Sequence, residues 1–231
     1  MPPRDAAALR AGEVRDWQTE AQRVDPSRIL RVHKYREDSK VRPIIVEAAG
    51  RAADAALQLC TIRGRYVIRP ISGIDPEGMT LADGTRFALP LFQRHLQGCR
   101  HLLAFVITIG PALDNRVIEL INDVFEPLDA LFLETAGWLS IEAATRVFAR
   151  DIKRDLATIG YEMSLRMGPG YDYPLPDSDG RVRWDLEQQR ELFGLFGDAD
   201  LPVTLMDSCA MWPKMSRSGI YGLRPAAGAA P

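Results

Sequence analysis

Histidine and cysteine are scarce in this chain, and long apolar runs are missing altogether. The three cysteines, Cys60, Cys99 and Cys209, stand far apart and include no Cys-x-x-Cys pair, so the ligand spacing of zinc and iron–sulfur sites is excluded. They read as small buried residues. The three histidines, His33, His95 and His101, are equally scattered. No stretch is apolar over the roughly 18 residues that a spanning helix needs. Met1 to Glu13 alternates charge with alanine where a signal peptide would carry an apolar core. The expected address is cytoplasmic, with no membrane partner. Neither sign of charge dominates: 29 basic against 31 acidic side chains leave a formal net charge of -2. No overall field therefore draws the chain to nucleic acid. A Gly-x-Gly-x-x-Gly loop after a strand is also absent, which disfavours a nucleotide-fold methyltransferase acting on its own substrate.

What is present is an ordinary globular composition, 46% apolar and 26% charged over 231 residues, enough to close one substantial core. Residues 1–40 are rich in Arg, Asp and Glu and read as an N-terminal arm around one short helix near Ala6 to Arg23. From Pro43 to Cys60 the apolar set Ile44, Ile45, Ala48, Ala52, Ala55, Ala56 and Leu59 recurs at helical spacing. Tyr66 to Ile71 is β-branched and aromatic. Met79 to Leu89 has Ala82-Asp83-Gly84 between two alternating runs, a hairpin signal. His101 to Ile109 is continuously apolar, the mark of a strand buried on both faces.

Asp114 to Val124 and Leu128 to Leu156 read as helices separated by Pro127. The second carries Leu131, Glu134, Trp138, Ile141, Thr145, Phe148 and Ile152 as one stripe. Beyond it, Leu165 to Pro176 is loop-like, Leu186 to Phe196 a short helix, Val203 to Met206 strand-like, and Ser216 to Tyr221 a last strand. The small-residue tail from Pro225 to Pro231 predicts disorder. The expected fold is α+β, an antiparallel or mixed twisted sheet with a long helix packed across it. It forms one unit over residues 41–222, followed by a flexible tail over 223–231.

Two segments invite chemistry. In Arg166-Met167-Gly168-Pro169-Gly170-Tyr171, glycine lets the main chain approach a ligand closely, Arg166 offers a planar fork for a carboxylate, and Tyr171 offers a flat face and a hydroxyl. Taken alone, this is either a ligand loop or a plain turn, since glycine and proline clusters are mostly punctuation. Met206 to Pro213, followed by Ser216 to Tyr221, either lines a pocket or is a buried strand leaving through a proline-broken turn.

Together, the order and spacing of these segments resemble the activation (reactivation) domain of cobalamin-dependent methionine synthase. That family shows an Arg-Pro-x-Pro-Gly-Tyr loop, a short helix, a strand leading to Ser-x-Ala-Met-x-Pro, and a Ser-x-Ser-Gly turn. Here the series stands as Arg166 to Tyr171, Gln188 to Phe196, Ser208-Cys209-Ala210-Met211-Trp212-Pro213 and Ser216-Arg217-Ser218-Gly219. The likeness is clearest over residues 165–222. It is looser over 101–155, where Phe105 to Gly110 and Ile141-Glu142-Ala143-Ala144 also match.

The resemblance implies S-adenosylmethionine lying along the loop. Arg166 would face its carboxylate, the backbone at Gly168 and Gly170 would bond adenine or ribose, and Tyr171 would pack beside it. Glu142 would take the amino group or offset the sulfonium charge, its other reading being a solvated helix glutamate; Glu162 is a weaker choice for the same role. The resemblance further implies no catalytic acid or base and no metal ligand in this chain. Cobalamin would come on a corrinoid-binding protein or methionine synthase subunit, because the Asp-x-His-x-x-Gly motif of corrinoid carriers is missing. A flavodoxin or ferredoxin-like reductant would supply the electron that, with a methyl group, restores inert cob(II)alamin in methionine biosynthesis. The chain would then be an accessory subunit of a methyltransferase, within a split methionine synthase. Met167 replaces the family's proline, and Arg224 to Ala229 stands where the family continues into a closing tyrosine, which implies weaker or altered binding. Two other readings share these residues: a corrinoid-protein interaction module that has lost S-adenosylmethionine, and a reactivating subunit of a corrinoid demethylase.

Overall fold

The computed structural model describes residues 9–35, 40–175 and 179–226. Its centre is a seven-stranded sheet in which every pairing is antiparallel. The strands are β1 (Val14–Thr19), β2 (Ile62–Asp75), β3 (Gly78–Leu81), β4 (Arg86–Ala88), β5 (His101–Thr108), β6 (Tyr161–Met163) and, last in sequence, β11 (Ser216–Pro225). Their spatial order is β4-β3-β2-β5-β11-β6, with β1 pairing on β2. Four smaller strands lie off this sheet: β7 (Asp172–Pro174) pairs with β8 (Arg181–Arg183), and β9 (Thr204–Leu205) with β10 (Met211–Trp212).

All eight residues of β5 are buried, as the unbroken apolar run predicts. Successive side chains alternate between faces. Leu103, Phe105 and Ile107 thus enter one core while Leu102, Ala104 and Val106 enter another. The first core is covered by helices α1 (Pro26–Val32), α2 (Pro43–Leu59), α4 (Ala112–Asn122) and α5 (Pro127–Thr158). Here Phe148 of α5 meets Trp17 at 5.3 Å, Phe105 at 5.1 Å and Tyr66 at 5.7 Å between ring centroids, contacts worth about 0.5–1.5 kcal/mol each beyond burial. The second core gathers around fully buried Trp184, set edge-on to Phe87 and to Phe92 of the short helix α3 (Phe92–His95). Its indole N–H donates to Gln188, just ahead of α6 (Gln189–Gly194), and Gln188 also bonds both backbone groups of Ala88.

Three local expectations change. Within the helix expected near Ala6 to Arg23, Val14–Thr19 is instead a strand, held by the β2 ladder and by an Arg65–Asp16 ion pair of 2.7 Å, while residues 6–8 lie outside the described set. The loop-like stretch from Leu165 contains β7, whose partner β8 lies across residues 176–178, outside the described set. The stripe on α5 holds only in its second half: Ile141, Thr145, Phe148 and Ile152 are buried, whereas Leu131 and Trp138 are exposed. Toward its start the helix buries Phe132, Leu133, Ala136 and Leu139 instead, because α1, α2 and α4 crowd that end. Gly137 marks the closest crossing, where a Cβ would stand 2.7 Å from Leu113 of α4.

The hairpin with its Ala82–Gly84 turn, the helices from Pro43 and Pro127, and the last strand stand where the sequence predicts them, the last strand running on to Pro225. Of the small-residue tail, Pro225 pairs with Tyr161 and the Ala226 N–H donates to Gly160; residues 227–231 lie outside the described set. Cys209 is buried, while Cys60 and Cys99 are partly exposed. Among the described residues, no helix is long and apolar enough to cross a membrane.

Candidate functional site

A cleft of about 730 Å³ opens between the middle of α5, the end of α3, β11 and the segment that leads on from β6. Glu142, Thr145, Arg146, Ala149 and Lys153 form the α5 wall. Met163, Ser164, Leu165 and Arg166 form the opposite wall, and Arg217, Tyr221 and Arg224 of β11 form the floor. Pockets of about 300–1,000 Å³ are the usual size for small-molecule ligands.

The Arg166 wall is pinned rather than free. Ser164 N–H donates to Gly222 O and Met167 exchanges two backbone bonds with Ile220, so the segment runs beside β11 as an irregular extension of β6. This is possible because Gly219 has no side chain; a Cβ there would fall 2.7 Å from Met167 O. Gly168 also lies against β11, where a Cβ would be 3.3 Å from Ser218 O. Gly170 turns the chain at φ +84°, a region favourable to glycine.

Of the residues singled out in the sequence, Glu142 and Arg166 face this cleft together. Arg166 projects with its guanidinium 5.0 Å from the centroid of the half-exposed Tyr171 ring, a cation–π contact. Tyr171 thus reaches the site through Arg166 rather than by lining it. The Arg166 Nη1 is buried with no hydrogen-bond partner, and its guanidinium has no paired carboxylate among the described residues. Leaving a buried donor atom unmatched is costly, so an acceptor entering the cleft would satisfy Nη1. Glu142 is half-buried; it pairs with Arg146 one turn on and lies 4.0 Å from Arg28 of α1.

Gly168 and Gly170 lie behind the cleft. The Gly168 N–H donates to the Tyr173 hydroxyl at 2.8 Å, and that hydroxyl donates to Gly168 O at 3.1 Å. Gly170 N–H donates to Trp184 O at 2.7 Å. Their backbone groups hold the loop in shape. Glu162 pairs across the strands with Arg224 at 3.0 Å and sits on the surface. The Met206 to Pro213 segment supplies the turn and second strand of the β9–β10 hairpin and ties to α6, where Gln189 donates to Cys209 O and accepts from Ser218.

The fold is the one seen in the MetH reactivation domain. A crystal structure of the MetH reactivation domain bound to AdoHcy superposes on this chain with a TM-score of 0.62 at 14% sequence identity, covering 94% of this chain and 80% of that one. No protein-family profile matches the chain, and no curated protein matches it in sequence. At this identity the likeness to the MetH reactivation domain is one of fold, and the cleft's own residues must carry any argument about chemistry.

Those residues include one that motif reading passed over. Arg217 stands at the variable position of Ser216-Arg217-Ser218-Gly219, on the same face of β11 as Gly219 and Tyr221. Burial disfavours its charged form, and the like charge of Arg166 adds to that effect. Burial also pushes the Tyr221 phenol up to about 12, although Arg166 and Arg217 pull it the other way. The signal for Arg217 was available: a guanidinium on the inward alternation of a strand that otherwise places Gly219, Tyr221 and Leu223 there.

Proposed function

We propose that the cleft binds S-adenosylmethionine and that the protein docks on a separate corrinoid protein to support reductive methylation of cob(II)alamin, as one component of a split cobalamin-dependent methionine synthase. The observation that carries this reading is the convergence of Glu142 and the unpaired Arg166 on one cleft. It stands in a fold that the MetH reactivation domain bound to AdoHcy also adopts. The orphaned Arg166 Nη1 suits an amino-acid carboxylate, and the pinned 163–167 segment holds the arginine's backbone in place beside the cleft. Tyr171 restricts the sweep of the guanidinium. Glu142, across the cleft, answers the ligand's ammonium or sulfonium charge, and Gly168 and Gly170 set the loop's shape.

Bound S-adenosylmethionine supplies the methyl group, while the corrinoid arrives on the partner and the electron from a flavodoxin or ferredoxin-like donor. The contribution of this chain is placement, which is worth up to about 7–11 kcal/mol when reacting groups are well oriented. Calorimetric titration with S-adenosylmethionine and AdoHcy tests the reading. Arg166→Ala is expected to lose about 1.5–3 kcal/mol of binding, roughly 10- to 150-fold in Kd, with an unchanged melting temperature. Affinity unaltered by the substitution removes Arg166 from the site. Co-purification from cells grown with cobalamin tests the partner: recovery of a corrinoid protein supports docking.

One observation favours a second reading. Arg94, Arg146, Lys153, Arg166, Arg217 and Arg224 surround the cleft against the single carboxylate of Glu142, a field that opposes a sulfonium cation. A protein that captures a corrinoid partner yet binds no S-adenosylmethionine would be an interaction module instead.

A further inference from the structure

Arg166 and Arg217 approach one cleft floor from two directions. Arg166 comes from the segment pinned beside β11, and Arg217 from β11 itself, three residues before Ile220, which bonds Met167. Neither guanidinium has an ion-paired carboxylate among the described residues. Glu142, the carboxylate in the cleft lining, is engaged by Arg146 and approached by Arg28. Two like charges thus line one cleft, partly out of water, with no ion-paired carboxylate on either. That arrangement is unfavourable for the ligand-free chain and becomes favourable once an anion with two or more oxygens enters, since each guanidinium presents a planar fork of donors.

We propose that Arg217 and Arg166 form an anion clamp on the floor of the cleft, and that the clamp grips the carboxylate of a nucleoside–amino acid ligand between two guanidiniums. This rests on the reading of the cleft as a nucleoside site and adds to it a specificity residue, Arg217. The clamp recognises the amino-acid end of the ligand and is indifferent to the nucleoside. The chemistry it shares with inorganic phosphate lets the clamp be read separately from the rest of the site.

The test compares AdoHcy with 5′-methylthioadenosine, which keeps the nucleoside thioether and lacks the amino acid, on wild type and Arg217→Gln by calorimetry. Arg217→Gln is expected to weaken AdoHcy roughly 10-fold or more, the scale of one charge-assisted pair, and to leave methylthioadenosine within about 2-fold. Equal losses for both ligands, or no loss for AdoHcy, overturn the clamp. Arg217→Lys, which retains the charge and stem, is expected to fold as wild type and to recover only part of the affinity. In labelled wild-type protein, the Arg217 Nε–H resonance should shift on adding AdoHcy and stay in place on adding methylthioadenosine; the reverse pattern counts against the clamp. Should wild type bind neither nucleoside, the nucleoside reading fails and inorganic phosphate decides on the clamp alone. Phosphate held by wild type and lost in Arg217→Gln supports it, and phosphate not held overturns it.

Discussion

Tyr221 shows how one side chain serves both core and cleft. Its ring stacks on Phe105 at 5.5 Å and approaches Phe148 at 6.5 Å, so it belongs to the packed face under α5, yet it also lies beside Arg166 and Arg217 on the cleft floor. Burial raises its phenol to about 12, above the value of about 10 for an unfolded chain. A group whose folded pKa is raised contributes stability that is fully present below the unfolded value and is lost as pH climbs through the folded one. Stability should therefore decline between pH 10 and 12, by up to about 1.4 kcal/mol per pH unit from this group. Cys60, pushed up to about 11 by burial, adds a loss of its own that begins nearer the thiol's ordinary value. Tyr221→Phe should flatten the wild-type profile over that window in urea melts taken from pH 9 to 12. Parallel profiles for the two proteins would mean that the phenol titrates as it does in water.

At the scale of elements, the close ride of the 163–167 segment along β11 depends on Gly219. In Gly219→Ala the new methyl would meet Met167 O and, at 3.1 and 3.2 Å, two ring atoms of Phe105. Overpacking of this kind costs about 1–3 kcal/mol. Relief by displacing Met167 would break its paired bonds to Ile220 and move Arg166, so both the melting temperature and the affinity for AdoHcy should fall together. A stable variant with full affinity would show that the segment is not what positions Arg166.

Elements set by local pattern were legible in the sequence, and those set by distant partners were not. The run from Leu102 to Ile109 declared β5 because burial on both faces leaves Thr108 as its one polar residue. The helix expected over Leu128 to Leu156 announced itself through its length and helical spacing, but the phase of its first half depends on which helices crowd it. β1 was illegible because Val14 to Thr19 lacks a strong alternation and is made a strand by a β2 ladder more than forty residues away. The site divides in the same way. Glu142 and Arg166 were legible as ordered motif positions and converge on one cleft. Arg217 was hidden in a variable position, since only the register of β11 aims it inward.

For the whole molecule, the two cores are joined through the strands they share. β5 sends Leu103, Phe105 and Ile107 to the helical side and Leu102, Ala104 and Val106 to the Trp184 side. β11 does the same with Tyr221 and Leu223 against Ile220. Neither core can lose its packing without exposing strands that the other needs, so unfolding should be one cooperative event in which calorimetric and van't Hoff enthalpies agree. Phe148→Ala on the helical side and Trp184→Ala on the other, each expected to cost about 3–5 kcal/mol, should lower the same single transition. If either substitution instead splits the melt in two, with one half unshifted, the faces fold independently. The cleft, bounded by α5 and by the loop that rests on Trp184 through the Gly170 bond, would then rest on two separate bodies. A single shifted transition means that ligand held in the cleft raises the stability of the entire chain, by about 2.7 kcal/mol at a hundredfold excess over Kd.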